Sequence, residues 1–304
     1  MDTMTARGRP VATDRLSRVY VLPDGRRVGY AEYGDPDGLP VFALHGTPGS
    51  RLMFALSDSS ARDRGLRLVA PERPGYGLSD YCRSATLLDA AHDLATLADA
   101  LGIERFALIG VSGGGPYAVA AAAAMPRRVV LLALVGPVGP VADHGRQLRM
   151  SRVHRLLFRT LARLPLVCRA FFLGLRRLLS LAPEIAYRGL LARVPRADRA
   201  ILARDDVKAS LREAVREGLR PGVEGAVQDV RLFCAPWGLE LAGVDASAVM
   251  WQGSDDSIVP PEAAYCLARL LPNCRLDVMH GAGHYWVFGQ FDVVLEAVAA
   301  SLRG

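Results

Sequence analysis

The sequence predicts an α/β fold in which a mostly parallel, doubly wound sheet carries helices on both faces. Three observations support this prediction: short apolar runs bounded by glycine or proline recur along the chain, helical patterns separate most of them, and a hairpin signal precedes them. Apolar runs of this kind are typical of strands buried on both faces, and alternation of strands with helices is typical of a parallel sheet.

The elements follow in a regular order. The hairpin is predicted at residues 19–22 and 27–33, because Asp24-Gly25 between them favours a tight turn. Six buried strands are then predicted at residues 41–44, 66–70, 106–109, 129–135, 248–251 and 275–279. Helical patterns cover residues 52–63, 87–101, 115–125, 261–271 and 286–302.

One long interval breaks the alternation of strands and helices. Residues 141–241 show no strand pattern, only helical patterns separated by prolines. A helical insertion between two late strands lies where it can cover a site at the strand ends. We therefore expect a core of residues 19–140 and 242–304, a helical cap of residues 141–241, and a flexible lead-in of residues 1–18.

Composition and charge narrow the classes of function. The 304 residues include 51% hydrophobic and 22% charged residues, with neither a long apolar run nor a secretory signal pattern, so we expect a cytoplasmic protein. Five cysteines without a CxxC pair predict neither a disulfide framework nor a metal site. The net charge of +6 is carried almost entirely by arginine, since Lys208 is the only lysine, and no nucleic-acid motif accompanies it. We therefore expect no nucleic-acid partner.

The strongest local signal is a serine between glycines at the junction of a strand and a helix. The buried strand at 106–109 runs into Gly110-Val-Ser112-Gly-Gly114, and an alanine-rich helical pattern follows at once. At such a turn only glycine-sized neighbours let the chain pass, and the serine hydroxyl projects beside the helix N-terminus. The N–H groups and partial positive charge at that terminus favour developing negative charge, so the pattern predicts a nucleophile at Ser112.

Three segments together resemble the α/β-hydrolase superfamily: Gly110-Val-Ser112-Gly-Gly, His45-Gly46-Thr47-Pro48-Gly49 and Arg73-Pro-Gly75-Tyr-Gly77. The correspondence covers residues 19–302, apart from the helical insertion, in which members of the superfamily differ widely. The resemblance implies the α/β-hydrolase fold and a triad in the chain order serine, acid, histidine.

The resemblance places the acid three residues after Gly253 and three before Val259, which is the position of Asp256. Asp255 remains an alternative one residue away, and Asp143 is a third candidate. The base is expected at His284, in a glycine-flanked loop before the last helix, and it would be oriented by Asp256.

The other histidines are not expected to act as the base. His280 is expected to bond locally to the backbone, His92 to be a surface or packing residue, and His45 to be structural. His144 and His154 lie in the insertion, where contact with solvent or with substrate remains open.

The fold also implies where an oxyanion would be held. One N–H comes from the residue after the nucleophile, here Gly113, and the resemblance assigns the second to Thr47. No metal or cofactor is required for this chemistry.

The insertion supplies three of the four candidate substrate-binding residues, and Trp286 lies just past His284. Phe171 and Phe172 are predicted to help form an apolar acyl pocket, and Trp237 and Trp286 to line it, with plain packing as the alternative for all four. Five arginines recur at helical spacing: Arg149, Arg152, Arg155, Arg159 and Arg163. They predict a solvated helix face, with contact to an anionic membrane surface or to acidic substrates as alternatives.

These features predict a serine hydrolase that cleaves a small-molecule carboxylic ester or lactone with an apolar acyl group. The same triad also serves thioesterases, amidases, carbon–carbon bond hydrolases, lyases and haloperoxidases, and some proteins of this fold are ligand-binding receptors. The sequence leaves the natural substrate and the oligomeric state open.

Overall fold

One sheet of eight strands forms the centre of the protein. The computed structural model describes residues 15–83, 85–140, 142 and 163–303. The strands are β1 (Arg18–Val21), β2 (Arg27–Gly34), β3 (Leu39–Leu44), β4 (Leu66–Pro71), β5 (Phe106–Val111), β6 (Val129–Val135), β7 (Ser247–Gly253) and β8 (Cys274–Met279). Each predicted strand is present, with ends that differ by at most two residues.

The strands lie in the order β1-β2-β4-β3-β5-β6-β7-β8. The β1–β2 hairpin is antiparallel and turns at Gly25, whose φ is +87°, and β2 is also antiparallel to β4. All pairs from β4 to β8 are parallel. The prediction of a mostly parallel sheet is confirmed.

Helices cover both faces of this sheet and fill the insertion. They are α1 (Asp58–Asp63), α2 (Leu87–Ala100), α3 (Gly115–Ala124), α4 (Pro165–Leu181), α5 (Pro183–Leu191), α6 (Arg196–Leu202), α7 (Asp205–Gly218), α8 (Glu224–Phe233), α9 (Pro261–Leu270) and α10 (Val287–Arg303). The helix predicted from residue 52 divides into a 3₁₀ segment, Arg51–Ser57, and α1. No helix in the described ranges is both long enough and apolar enough to cross a membrane.

Two apolar layers hold the helices against the sheet. On one face, Leu94 of α2, Ala118 of α3 and Leu267 of α9 belong to a single buried cluster. On the other face, Ala61 of α1 and Val298 of α10 belong to a second cluster. Because the central strands contact apolar side chains on both faces, β5 is buried along its whole length.

The insertion between β6 and β7 is helical in the part that the structure describes, residues 163–241, called the helical insertion below. It contains α4 to α8 and no strand in that range. The arginine-rich helix predicted from residue 149 lies outside the described residues, except for Arg163, which is exposed.

The predicted flexible lead-in does not extend to residue 18. The carbonyl of Arg15 accepts from the N–H of Glu32 at 2.8 Å, and the carbonyl of Leu16 accepts from Arg51 Nε at 2.5 Å. Arg18 already belongs to β1. The chain is therefore fixed to the core from residue 15, because these backbone groups have partners there; residues 1–14 lie outside the described residues.

The parallel strands place the candidate site residues together. The carboxyl ends of β3, β5, β7 and β8 share one edge of the sheet. The chain leaves these ends into the segments that carry Thr47, Ser112, Asp256 and His284. Residues up to 237 positions apart in the chain thus meet at one edge, which is the usual place for a site in a parallel sheet.

Candidate active site

Ser112 lies at the sharp turn between β5 and α3. Its φ of +53° makes it the one non-glycine residue with a positive φ in the described ranges. This left-handed conformation is unfavourable for a residue with a Cβ and persists only where the surroundings enforce it. A Cβ at Gly110 would lie 2.8 Å from Ala118 Cβ, and one at Gly114 would lie 2.3 Å from the Leu44 carbonyl oxygen. Glycine at both positions therefore allows the helix to approach the strands closely enough to form the turn.

A continuous chain of hydrogen bonds joins the three predicted residues. His284 Nε2 lies 3.0 Å from Ser112 Oγ, and His284 Nδ1 lies 2.7 Å from Asp256 Oδ2. Because an ionised carboxylate can only accept, Nδ1 carries the proton and Nε2 is free to accept from the serine hydroxyl. This is the arrangement in which a histidine can act as a general base toward a serine.

Asp256 is held in place on every side. Its Oδ1 accepts from the N–H groups of Ile258 and Val259, both at 2.8 Å, and Gln252 Nε2 donates to Oδ2 at 3.1 Å. Burial raises the pKa of this carboxyl. His284 and the two backbone donors lower the pKa by more than burial raises it, so the net pKa lies below the usual value. Asp256 is thus an ionised carboxylate aimed at the histidine.

The alternative acids do not occupy this position. Asp255 is exposed, and its Oδ1 accepts from Ser254 Oγ at 2.9 Å. A shift of one residue on the turn is enough to aim its carboxylate away from His284. Asp143 lies outside the described residues.

The electrostatic surroundings of His284 favour its protonated form. Burial lowers the pKa of the imidazole, but the carboxylates of Asp256 and Asp198 raise it by more, so the net pKa lies above its usual value. An imidazolium formed during proton transfer from Ser112 is therefore stabilised by the negative charges around it.

The remaining histidines have different surroundings. His45 is fully buried, its Nδ1 lies 2.8 Å from the Gly46 carbonyl oxygen, and its Nε2 lies 3.4 Å from the N–H of Arg73. Burial, with the charge of Arg73, lowers its pKa well below the usual value, so it remains neutral and ties two loops together. His92 and His280 are exposed, and His144 and His154 lie outside the described residues.

The two segments predicted to hold an oxyanion flank the serine. A Cβ at Gly46 would lie 3.4 Å from Ser112 Cβ, so the loop after β3 approaches Ser112 directly. A Cβ at Gly113 would lie 2.3 Å from Thr47 Oγ1, which shows that the two predicted donor residues touch. Gly113 also lies two residues before the start of α3, whose N-terminal dipole points at this region.

A buried carboxylate from the helical insertion holds the Thr47 loop. Asp229 on α8 is 1% exposed. Its Oδ2 accepts from Thr47 Oγ1 at 2.5 Å, Arg73 Nη2 at 2.7 Å and Tyr76 OH at 2.7 Å. Its Oδ1 accepts from Tyr117 OH at 2.6 Å. A buried charge is tolerated only when it is paired and hydrogen-bonded, and these four donors meet that requirement.

Sequence reasoning did not identify Asp229 or the other buried acid of the insertion, Asp198. Both carry a detectable signal. Asp229 lies three residues after Ala226 and four before Phe233 on the buried face of α8, and Asp198 precedes Leu202 on α6 by four. An acidic residue at helical spacing within an apolar face indicates a carboxylate with a specific partner.

An apolar cavity of about 210 Å³ opens next to Ser112. The core and the helical insertion both contribute to its wall, and most of the lining side chains are apolar: Met53, Val111, Leu175, Leu179, Ala186, Leu190, Leu211, Val215, Ile258, Val287 and Phe288. Tyr187, Tyr285 and Arg212 add the polar groups. An apolar cavity with few polar groups is typical of a site for a small molecule.

The four aromatic residues predicted to form this pocket lie elsewhere. Trp237 and Trp286 are buried in the two apolar layers of the core, and Phe172 is buried within the insertion. Phe171 is 52% exposed. None of the four belongs to the described lining of the cavity. The plain packing alternative fits the three buried residues.

The described side chains include no group of three or more His, Cys, Asp or Glu residues arranged to hold a metal ion. The five cysteines have free thiols. Ser112, His284 and Thr47 also line the cavity, in addition to its tyrosines and Arg212.

Comparison with known proteins gives a family match and several relatives. The family described as "Alpha/beta hydrolase family" matches residues 41–297. A 2-hydroxymuconate semialdehyde hydrolase of Pseudomonas putida is 26% identical over 281 residues, which cover 87% of this chain and 86% of that protein. A non-heme chloroperoxidase of Streptomyces lividans is 38% identical over 126 residues, which cover 39% of this chain and 44% of that protein.

Among solved structures, an esterase from Exiguobacterium antarcticum superposes with a TM-score of 0.68 at 18% identity. The match covers 95% of this chain and all of the esterase. At this level of identity the likeness shows the shared fold.

Proposed function

Because the chain belongs to the alpha/beta hydrolase family, we propose that it cleaves a small carboxylic ester or lactone through a covalent acyl-enzyme on Ser112. The observation that carries this proposal is the hydrogen-bonded chain from Ser112 through His284 to Asp256 beside an apolar cavity. Its parts are a nucleophile, a base within hydrogen-bond reach, and an acid that orients the base.

In the proposed reaction, Ser112 Oγ attacks the substrate carbonyl carbon as its proton passes to His284 Nε2. The C–O bond to the leaving alcohol breaks, and His284 returns the proton to that oxygen. A water molecule then gives its proton to His284 and attacks the acyl carbon. The bond between this carbon and Ser112 Oγ breaks, His284 returns the proton to Oγ, and the acid is released. Asp256 keeps Nδ1 protonated and faces the imidazolium in both halves of the reaction.

The N–H groups of Gly113 and Thr47 are proposed to bind the oxyanion of each tetrahedral intermediate. Two features support this assignment: their contact across the elbow, and the fixed position of Thr47 Oγ1 between Asp229 and Arg73. Donors that are already in place need not reorganise as charge develops, and each is worth about 10²–10³ in kcat.

The cavity supports a preference for an apolar acyl group of modest size. Its apolar wall comes from α4, α5 and α7 of the helical insertion on one side and from the core on the other. The insertion is thereby proposed to act as a cap over the site. About 210 Å³ accommodates a small ligand but not a long lipid chain.

A second candidate is cleavage of another bond by the same three residues. It is favoured by the relative from Pseudomonas putida, a 2-hydroxymuconate semialdehyde hydrolase whose similarity extends over 87% of this chain. Turnover of a 2-hydroxymuconate semialdehyde with no turnover of esters would favour this candidate over the ester proposal.

The proposal is tested by labelling with a fluorophosphonate probe. The wild-type protein is expected to be labelled and to hydrolyse short p-nitrophenyl esters, while Ser112→Ala loses both. Ser180→Ala is the matched control, because its hydroxyl is exposed on α4 and bonds to the Arg176 carbonyl. Labelling that survives in Ser112→Ala, or a folded wild-type protein without labelling, would contradict the proposal.

A further inference from the structure

A second buried carboxylate contacts the segment that carries the histidine. Asp198 on α6 is fully buried. Its Oδ2 accepts from the N–H of His284 at 2.8 Å, and its Oδ1 accepts from the N–H of Tyr285 at 3.0 Å. Both oxygens of a carboxylate from the helical insertion therefore bind consecutive backbone groups of the core.

The approach of this carboxylate requires glycine before the histidine. A Cβ at Gly283 would lie 2.1 Å from Asp198 Oδ2 and 2.5 Å from its Cγ. No side chain fits there, so the glycine in the His284 loop has a role distinct from turn formation. The loop and α6 are fitted to each other at this point.

Two bonds to a charged acceptor fix the backbone from which the imidazole extends. Hydrogen bonds to an ionised acceptor are roughly twice as strong as neutral ones. The ring must keep Nε2 at 3.0 Å from Ser112 Oγ and Nδ1 at 2.7 Å from Asp256 Oδ2 at the same time. Rotation of the His284 backbone would break one of these bonds, and the two N–H groups held by Asp198 resist that rotation.

Asp198 also adds negative charge behind the histidine. Among the described residues, Ser112, Asp256 and Asp198 form hydrogen bonds with His284, and the neighbouring Tyr285 ring lies 5.5 Å away between centroids. Tyr187 and Arg212 line the same cavity as His284. Burial raises the pKa of the Asp198 carboxyl by more than its two backbone donors lower it, so the net pKa lies above the usual value. The charge of Asp198 raises the pKa of His284, in the same direction as Asp256.

We propose that Asp198 is a positioning residue, through which the helical insertion holds the backbone of His284 in the orientation needed for proton transfer. This inference rests on the proposed function of His284 as the base. It assigns the insertion a part in catalysis beyond forming the wall of the cavity. Asp198 is not among the described residues that line the cavity, so it acts through His284 and not on substrate.

The test replaces Asp198 with its uncharged isostere. Asp198→Asn keeps the shape but loses the charge, and its amide NH₂ faces one of the two backbone N–H groups. We expect kcat for ester hydrolysis to fall by about 10²-fold, the cost of a small misplacement of a reacting group, with little change in KM. The pH midpoint of kcat/KM is expected to fall as well, since a charge that raises the pKa of His284 is gone.

Asp255→Asn is the matched control, because this carboxylate lies next to Asp256 in sequence but is exposed. It is expected to keep the wild-type kcat and pH midpoint. Gly283→Ala is the second variant: it displaces Asp198 but leaves its charge in place, so kcat is expected to fall with a smaller change in the midpoint. Folding of each variant is checked by circular dichroism. If only one of the two variants folds, its kcat and pH midpoint still test whether Asp198 positions His284.

A readout independent of turnover separates this inference from the proposed function. The low-field proton resonance of His284 Nδ1–H reports its bond to Asp256 and is expected to shift or broaden in Asp198→Asn but not in Asp255→Asn. A folded Asp198→Asn protein with wild-type kcat, pH midpoint and resonance would overturn the inference. Failure of the wild-type protein to react with the fluorophosphonate would overturn the proposed function instead.

Discussion

Gly113→Ala tests whether the contact between Gly113 and Thr47 positions the two proposed oxyanion donors. The added methyl carbon would lie 2.3 Å from Thr47 Oγ1, about 1 Å short of the 3.4 Å at which ordinary contact begins. It would also lie 3.0 Å from Phe233 Cζ on another side. The methyl group therefore cannot be accommodated unless the Thr47 loop or the elbow moves.

Thr47 cannot give way freely. Its Oγ1 donates to Asp229 Oδ2 at 2.5 Å and accepts from Arg73 Nη2 at 2.8 Å, and both partners are buried. We therefore expect the strain to displace the backbone N–H of Thr47 or of Gly113. Loss of one oxyanion donor costs about 10²–10³ in kcat, equivalent to about 2.7–4 kcal/mol of transition-state stabilisation.

The assay is steady-state hydrolysis of a short p-nitrophenyl ester, together with the rate of fluorophosphonate inactivation. Thr47→Gly removes the two nearest of these atoms, Oγ1 and Cβ of Thr47, and leaves the looser contact with Phe233 Cζ. Because the two sites touch, the double variant is expected to be no slower than Thr47→Gly alone, which is a strongly non-additive result. Gly174→Ala is the control, since a Cβ there has open space within 4 Å.

Two results would refute this reasoning. The first is a Gly113→Ala protein with wild-type kcat, which would mean that the contact does not fix the donors. The second is a double variant whose loss equals the sum of the two single losses in free energy, which would mean that the two residues act independently.

Three further predictions follow from the site. Asp256→Asn is expected to lower kcat by about 10⁴-fold because Nδ1 loses its acceptor, while Asp255→Asn keeps wild-type activity; equal losses in both variants would contradict the choice of acid. The kcat/KM for esters is expected to rise with pH as His284 loses its proton. The midpoint is expected above 6.5, because the carboxylates around His284 raise its pKa by more than burial lowers it; a midpoint below 6.5 in the pH profile would refute this. Asp229→Ala is expected to lower the free energy of unfolding by about 3–5 kcal/mol in urea titrations, since it leaves the buried guanidinium of Arg73 without its counter-charge. Glu213→Ala is the control: it breaks an exposed ion pair and is expected to lower the free energy of unfolding by less than about 1 kcal/mol.

The helical insertion is linked to both halves of the proposed machinery. Asp229 on α8 binds the loop that carries Thr47, and Asp198 on α6 binds the loop that carries His284. Both carboxylates are buried where the insertion meets the core. A change that displaces the insertion is therefore expected to disturb the oxyanion donors and the base together, as well as the wall of the cavity.

The features that the sequence determined by itself are local ones. Strands buried on both faces require continuous apolar runs, so β5 and β6 were predictable from a few consecutive residues. The elbow at Ser112 depends on glycines within two positions of it, because the close approach of the helix to the strands leaves no room for a Cβ. Asp256 and His284 followed from chain order and from their spacing to nearby glycines, once the resemblance supplied that order.

Only the tertiary structure decided which face of each helix in the insertion meets the core. The bond from Asp198 to His284 spans 86 positions in the chain, and the bond from Asp229 to Thr47 spans 182. Local patterns do not encode such distances, and for the same reason they did not place Trp237 and Trp286 in the two apolar layers of the core, where both are buried. Burial of an apolar side chain is favourable both in the core and in a cavity wall. Its sequence pattern is therefore the same in both places, and only the packing of the helical insertion against the sheet separates them.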